Sequence, residues 1–196
     1  MMLPETPVKS LKHVSFSKLA ERIVALYNEE EDALLLGMLG QEYVIHRDGI
    51  FLHGQKSPEI HSSVILDYLF SSGTAPTLMP WRTIGDFAGQ PLPDFRTKVE
   101  LPLTNYAPEI ITRANTLLPM IDAEAVPSLI GSDMAITVRA LPRVSLHVEL
   151  SQETQDFPPE AWVLFSNNAD EFLTVQNLQL LAEVFKDRLL SLLRIY

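Results

Sequence analysis

Apolar residues recur along this chain with two different periods, and the switches between them mark out its elements. In SKLAERIVALYN (17–28), Leu19, Ile23, Leu26 and Tyr27 recur at three and four, which predicts an amphipathic helix running into the acidic turn EEED (29–32). The period falls to two in ALLLGMLGQEYVIHRDGIFLH (33–53). Gly40-Gln41 and Asp48-Gly49 are hairpin dipeptides there, predicting a three-stranded meander over about 33–39, 42–47 and 50–53. Two-residue loops at those points set Leu36 opposite Ile45 and Ile45 opposite Leu52. SPEIHSSVILDYLFSSG (57–73) reads as a buried helix, with Ser57 as N-cap, Pro58 in the first turn and Gly73 as stop.

The middle of the chain, 74 to about 130, is proline-rich and irregular. Two short helices are predicted in it: TIGDFAG, where Thr83 and Asp86 have capping-box spacing, and PEIITRANTLL, opened by Pro108 and closed by Pro119. The intervening PLPDFRTKVELPLTNYAP reads as a long wrapped or functional loop. Alternation returns in AITVRALPRVSLHVEL (135–150). One set is Ile136, Val138, Val144, Leu146, Val148 and Leu150; the other is Thr137, Arg139, Arg143, Ser145, His147 and Glu149. Pairing like with like requires a turn centred on Leu141 or Pro142, with an odd-numbered loop and a bulge. A strand at AWVLFS and a long amphipathic helix from Thr174 complete the chain. Neighbouring strands set apart from helices predict an α+β fold: antiparallel meanders packed with helices, in two strand-then-helix halves that share a core. Residues 1–16 read as a loose arm and 17–196 as one domain.

Composition narrows the function. The chain has 196 residues and no cysteine, which excludes disulfides, thiolate metal sites, iron–sulfur ligation and cysteine nucleophiles. A net charge of −10 with no basic stripe argues against a nucleic-acid partner. The N-terminal MMLPETPVKSLKHVSF has no apolar core of signal-peptide length and no run approaches a membrane span, so a cytoplasmic protein is expected.

The motifs of nucleotide binding, of serine hydrolases and of zinc proteases are missing. His46 and His53 fall on one face of the predicted meander, but two imidazoles among Leu35, Val44 and Phe51 fall short of a metal site. GSDMA (131–135) leads into a strand and offers an anion no helix N-terminus. The polar set of 135–150 reads as the solvated side of a sheet. The best candidate binding residues are therefore Trp81 and Arg82, beside the capped turn, with Arg139 and Arg143. An indole and guanidinium groups can stack on or hold an anionic ligand. The competing role for Arg82 and Arg143 is structural, bonding loop carbonyls or a carboxylate such as Asp86 or Asp133. No catalytic residue, cofactor or metal is expected; a protein partner or a small molecule is.

HSSVILDYLFSSGTAPTLMPWRTIGDFAGQPLPDF, GSDMAITVRALPRVSLHVEL and DFPPEAWVLFSNNADEFLTVQNLQLLAEVF together resemble an uncharacterised prokaryotic domain family of unknown function. Some of its members are fused to a cysteine-rich iron–sulfur segment, which this cysteine-free chain lacks. The resemblance implies an accessory role, as partner or sensor for metallocofactor or corrinoid-dependent enzymes. It marks Trp81, Arg82, Asp133, Pro142 and Arg143 as matched motif positions without assigning them a role. The expectation is a non-enzymatic binding or accessory module. The alternative is a small enzyme or small-molecule or anion binder built on the Trp81-Arg82 loop and the arginines around Pro142.

Overall fold

The computed structural model describes residues 8–90 and 92–195. Its strands form two antiparallel sheets. The first orders β1 (Leu26–Asn28), β2 (Ala33–Met38), β3 (Gln41–His46), β4 (Gly49–Leu52) and β5 (Gln55–Lys56) as a simple meander. The second does the same with β6 (Ala123–Val126), β7 (Met134–Leu141), β8 (Val144–Ser151) and β9 (Glu160–Phe165). Seven α-helices accompany them among the described residues: α1 (Phe16–Ile23), α2 (Glu59–Phe70), α3 (Ile84–Ala88), α4 (Pro93–Phe95), α5 (Leu101–Thr112), α6 (Ala114–Leu117) and α7 (Val175–Ile195). The fold is α+β, and one apolar cluster runs through both sheets, α2, α5 and α7. No helix among the described residues is long and apolar enough to cross a membrane.

The two halves are joined by specific contacts. Asp67 of α2 accepts from the Thr174 amide and hydroxyl and from the Asn177 amide group, at 2.7–2.9 Å, and so pins the start of α7. The β2–β3 turn inserts into the second half. The Leu39 amide donates to the Ala140 carbonyl at 3.0 Å, and the leucine is fully buried despite φ of 53°. Burial and that bond outweigh the left-handed cost of about 1–2 kcal/mol. Gly40 is sterically required, because a Cβ there would lie 2.4 Å from the Met120 carbonyl oxygen.

That tertiary contact corrects the expected register. The turn residues are Leu39-Gly40, one position earlier than Gly40-Gln41, and Leu36 pairs with Tyr43. The next turn is likewise Arg47-Asp48 and not Asp48-Gly49, so Ile45 pairs with Ile50. Each register moves by two residues, and an even shift leaves every side chain on its own face. Other boundaries also move. α1 stops at Ile23, where Val24 turns left-handed, so Leu26 and Tyr27 belong to a strand. Pro58, not Ser57, occupies the N-cap of α2, and its last helical residue is Phe70. Gly73 has a packing role instead, since a Cβ there would meet the Phe172 ring at 2.6 Å. Residues 1–7 of the expected arm lie outside the described residues. Val8–His13 form a short 3-10 helix, and Leu11 and Phe16 are buried in the core.

The largest difference lies in the middle of the chain. The stretch expected as a loop is helical, running from Pro93 through a π turn (Arg96–Glu100) into α5, with Pro108 inside the helix. Proline removes an amide and crowds the carbonyl four residues back. The wider π spacing just before Pro102 absorbs one such conflict. The hydroxyls of Thr97, Thr104 and Thr112 bond the carbonyls of Pro93, Glu100 and Pro108 one turn back, at 3.3, 3.0 and 2.8 Å. The capping box at Thr83 and Asp86 is present as expected. So is the bulged hairpin: Val138 pairs with Leu146, and the register shifts between Arg139 and Leu141.

Candidate ligand-binding cleft

The polar face of β8 is not solvated. Ser145, His147 and Glu149 are buried, the last two only 1% exposed, because the segments 74–82 and 127–133 fold over them. Trp81 stacks on His147, ring centroids 5.2 Å apart. Glu149 accepts from the Ser128 hydroxyl (2.8 Å), the Leu129 amide (2.7 Å) and the Ser132 hydroxyl. It also pairs with His147 Nε2 at 2.8 Å. Burial alone would push its acidity down, but these four donors overcome it and hold Glu149 below the usual carboxylate range. An ionised carboxylate only accepts, so Nε2 carries the histidine proton. The Ser128 oxygen in turn collects the amides of Ile130, Gly131 and Ser132 at 2.8–3.2 Å, which fixes the 127–133 loop. The expectation of a wet face therefore fails on β8; Arg139 on β7 alone keeps it, exposed and paired with Asp122 at 2.7 Å.

A second buried carboxylate sits at the free edge of β9. In an antiparallel ladder a residue's amide and carbonyl point the same way. Arg82 and Phe165 exchange both backbone bonds there, at 2.8 and 2.9 Å, so Val163, two residues back, also points outward. Its amide donates to Glu100 Oε1 at 3.3 Å. The π turn is what carries Glu100 to this position, 7% exposed, with Arg96 Nη1 3.9 Å from its other oxygen. Burial raises the Glu100 carboxyl above the usual range, and the Val163 amide and Arg96 only partly offset it.

Around Glu100 opens a cleft of about 680 Å³, walled by Thr83–Asp86 on one side and by Phe95, Arg96, Trp162 and Val163 on the other. Its volume lies within the range of small-molecule sites. Trp162 is 36% exposed and steadied by a 3.2 Å bond from Nε1 to Glu160. The cleft thus combines an indole, a guanidinium, a carboxyl with one oxygen uncommitted, and apolar walls.

The sequence-derived candidates do not assemble into one site. Trp81 covers His147. Arg82 donates to the carbonyls of Asp86 (2.9 Å) and Asn167 (3.3 Å) and lies over the Phe87 ring at 4.0 Å. Arg143 donates to the Arg22 carbonyl at the end of α1, at 3.0 Å. Asp133 accepts from the Gln152 amide at 2.7 Å. Arg82, Arg139 and Arg143 share no bonding partner, and none of them lines the cleft. His46 lies edge-on to Phe51, and His53 sits in a turn against Gln41; among the described residues no three potential metal ligands gather. Sequence reasoning missed Arg96, Glu100 and Trp162. The i, i+4 spacing of Arg96 and Glu100 was the available signal, hidden by reading their segment as a loop.

Fold and site together define an α+β domain with an open, mixed-polarity cleft over the edge of a sheet. The chain belongs to the family described as Domain of unknown function (DUF3786), which matches residues 15–188. Nothing among curated proteins and no solved structure matches it.

Proposed function

We propose that this domain is a non-enzymatic cytoplasmic binding module whose ligand seats in the cleft between α3 and the π turn. One observation carries the reading: Glu100 is 7% exposed and receives a single hydrogen bond, yet lines an open cleft beside an indole and a guanidinium. Burying a carboxylate without full compensation is unfavourable, and such sites gather where a ligand completes the bonding. The other carboxyl within the walls, that of Asp86, is committed to capping α3. Service to metallocofactor or corrinoid-dependent enzymes, implied by the resemblance, is compatible with such a module and requires no cluster in this chain.

A second reading draws on the same walls. The Glu100 carboxyl is raised while hydrogen bonds from Thr83 lower that of Asp86, and carboxyls pushed apart in one cleft can serve as acid and base. Asp86's commitment to the helix cap favours binding. An amide-detected fragment screen tests the proposal. Bound fragments should shift residues 84–96 and 160–163, and Trp162→Ala should remove binding with the melting temperature little changed. Hits confined to other faces would overturn it, and turnover of a fragment would favour the second reading.

A further inference from the structure

We propose that the cleft takes a planar nitrogen heterocycle bearing an amino group next to a ring N–H, stacked on Trp162 with that donor edge on Glu100. This rests on the binding reading above and names its ligand class. Three features of the site lead to it.

The first excludes an extended chain as occupant. An added strand would need the outward amide of Val163, and Glu100 already occupies it at 3.3 Å. Arg82 takes the next outward position, Phe165. The edge is closed at both points, so the occupant is compact.

The second concerns shape. Two other arginines lie close over aromatic rings, Arg47 at 3.7 Å from the Phe16 centroid and Arg82 at 4.0 Å from Phe87. Arg96 stands over Trp162 at 5.9 Å from its centroid, a loose contact at the outer limit of cation–π range and too near for an intervening layer. A flat ring between them needs two van der Waals spacings, about 7 Å in all. Arg96 is half exposed, so a movement of roughly 1 Å would admit the ring. A bulky saturated ligand would displace it much further.

The third concerns polarity. The cleft floor presents acceptors: the second oxygen of Glu100, and the Val163 carbonyl that the ladder geometry turns the same way as its amide. Two neighbouring acceptors match two neighbouring N–H donors, the pairing by which a carboxylate reads an amino-substituted heterocycle. An anionic ligand would meet the Glu100 carboxyl at close range. A purely apolar one would leave the buried oxygen without a partner.

Guanosine and inosine test this, since they differ only in the amino group beside the ring N–H. Guanosine should quench Trp162 fluorescence and shift the amides of 84–96 and 160–163, with inosine at least about tenfold weaker. Glu100→Gln retains an acceptor for Val163 and should erase the preference in a protein that stays folded, its melting temperature no lower than the parent's and raised by at most about 2 °C. Equal affinity for the two nucleosides, or a preference that survives Glu100→Gln, overturns the ligand class. Failure of both nucleosides while other fragments occupy the cleft overturns the class and leaves the binding module standing. No fragment reaching these residues overturns both.

Discussion

Two buried glutamates, one on the inner strand β8 of the second sheet and one beside its edge strand β9, have opposite fates. Glu149 lies in a closed layer where two hydroxyls, an amide and an imidazole converge, and its carboxyl is held below the ordinary range. Glu100 receives one long amide bond and a loosely placed guanidinium, and its carboxyl is held above that range. Burial is nearly the same for both; the number of donors differs. A carboxylate whose bonding is complete fastens loops to a sheet, whereas one left incomplete at an open cleft is poised for a ligand.

Mutation should separate the two sharply. Glu149→Ala leaves the buried His147 proton without an acceptor and releases the Ser128 hydroxyl and Leu129 amide that hold the 127–133 loop, at a cost of about 3–5 kcal/mol in urea unfolding. Glu100→Gln should change stability by less than about 0.5 kcal/mol. The tryptophans should follow suit at smaller scale. Trp81→Ala uncovers His147 and should cost about 2–4 kcal/mol, while Trp162→Ala, with its ring partly in solvent, should stay near the range of surface changes. Arg82→Ala and Arg143→Ala each leave partly buried backbone carbonyls unpaired and should cost about 0.5–1.5 kcal/mol. Unchanged midpoints for both arginine variants would return them to the list of ligand-binding residues.

The smallest effect is on pH dependence, and its sign is opposite at the two sites. A depressed carboxyl contributes stability above the unfolded value of about 4.3, lost as pH falls through the lower folded value. Glu149 should thus contribute to acid unfolding. A raised carboxyl opposes folding as pH rises through the unfolded value towards the folded one. Melts of Glu100→Gln should therefore gain on the parent protein between acid and neutral pH.

How much of this was legible in the residues depended on whether local pattern or tertiary contact decided each position. The bulged hairpin, the capping box and the α+β class follow from alternation and turn chemistry, and the structure has them. The β2–β3 register does not, because the tip is set by Met120 and Ala140, far away in sequence. Arg82 and Arg143 bond backbone carbonyls, but those of Asp86 and Arg22 belong to helices and only that of Asn167 to a loop, so the acceptors were not legible from the proline pattern. The polar face of β8 reads as wet since alternation reports which side differs, not what covers it. Glu100 was hidden for another reason: prolines at 91, 93, 102 and 108 signal a loop, and the π turn that precedes Pro102 is invisible to periodicity.

The most direct test is a carbon-detected NMR titration of the side-chain carboxyls. Glu149 should titrate below a free glutamate and Glu100 above it in the same sample. Glu100 titrating at or below Glu149 would contradict the division between a carboxylate that holds the fold and one kept for a ligand.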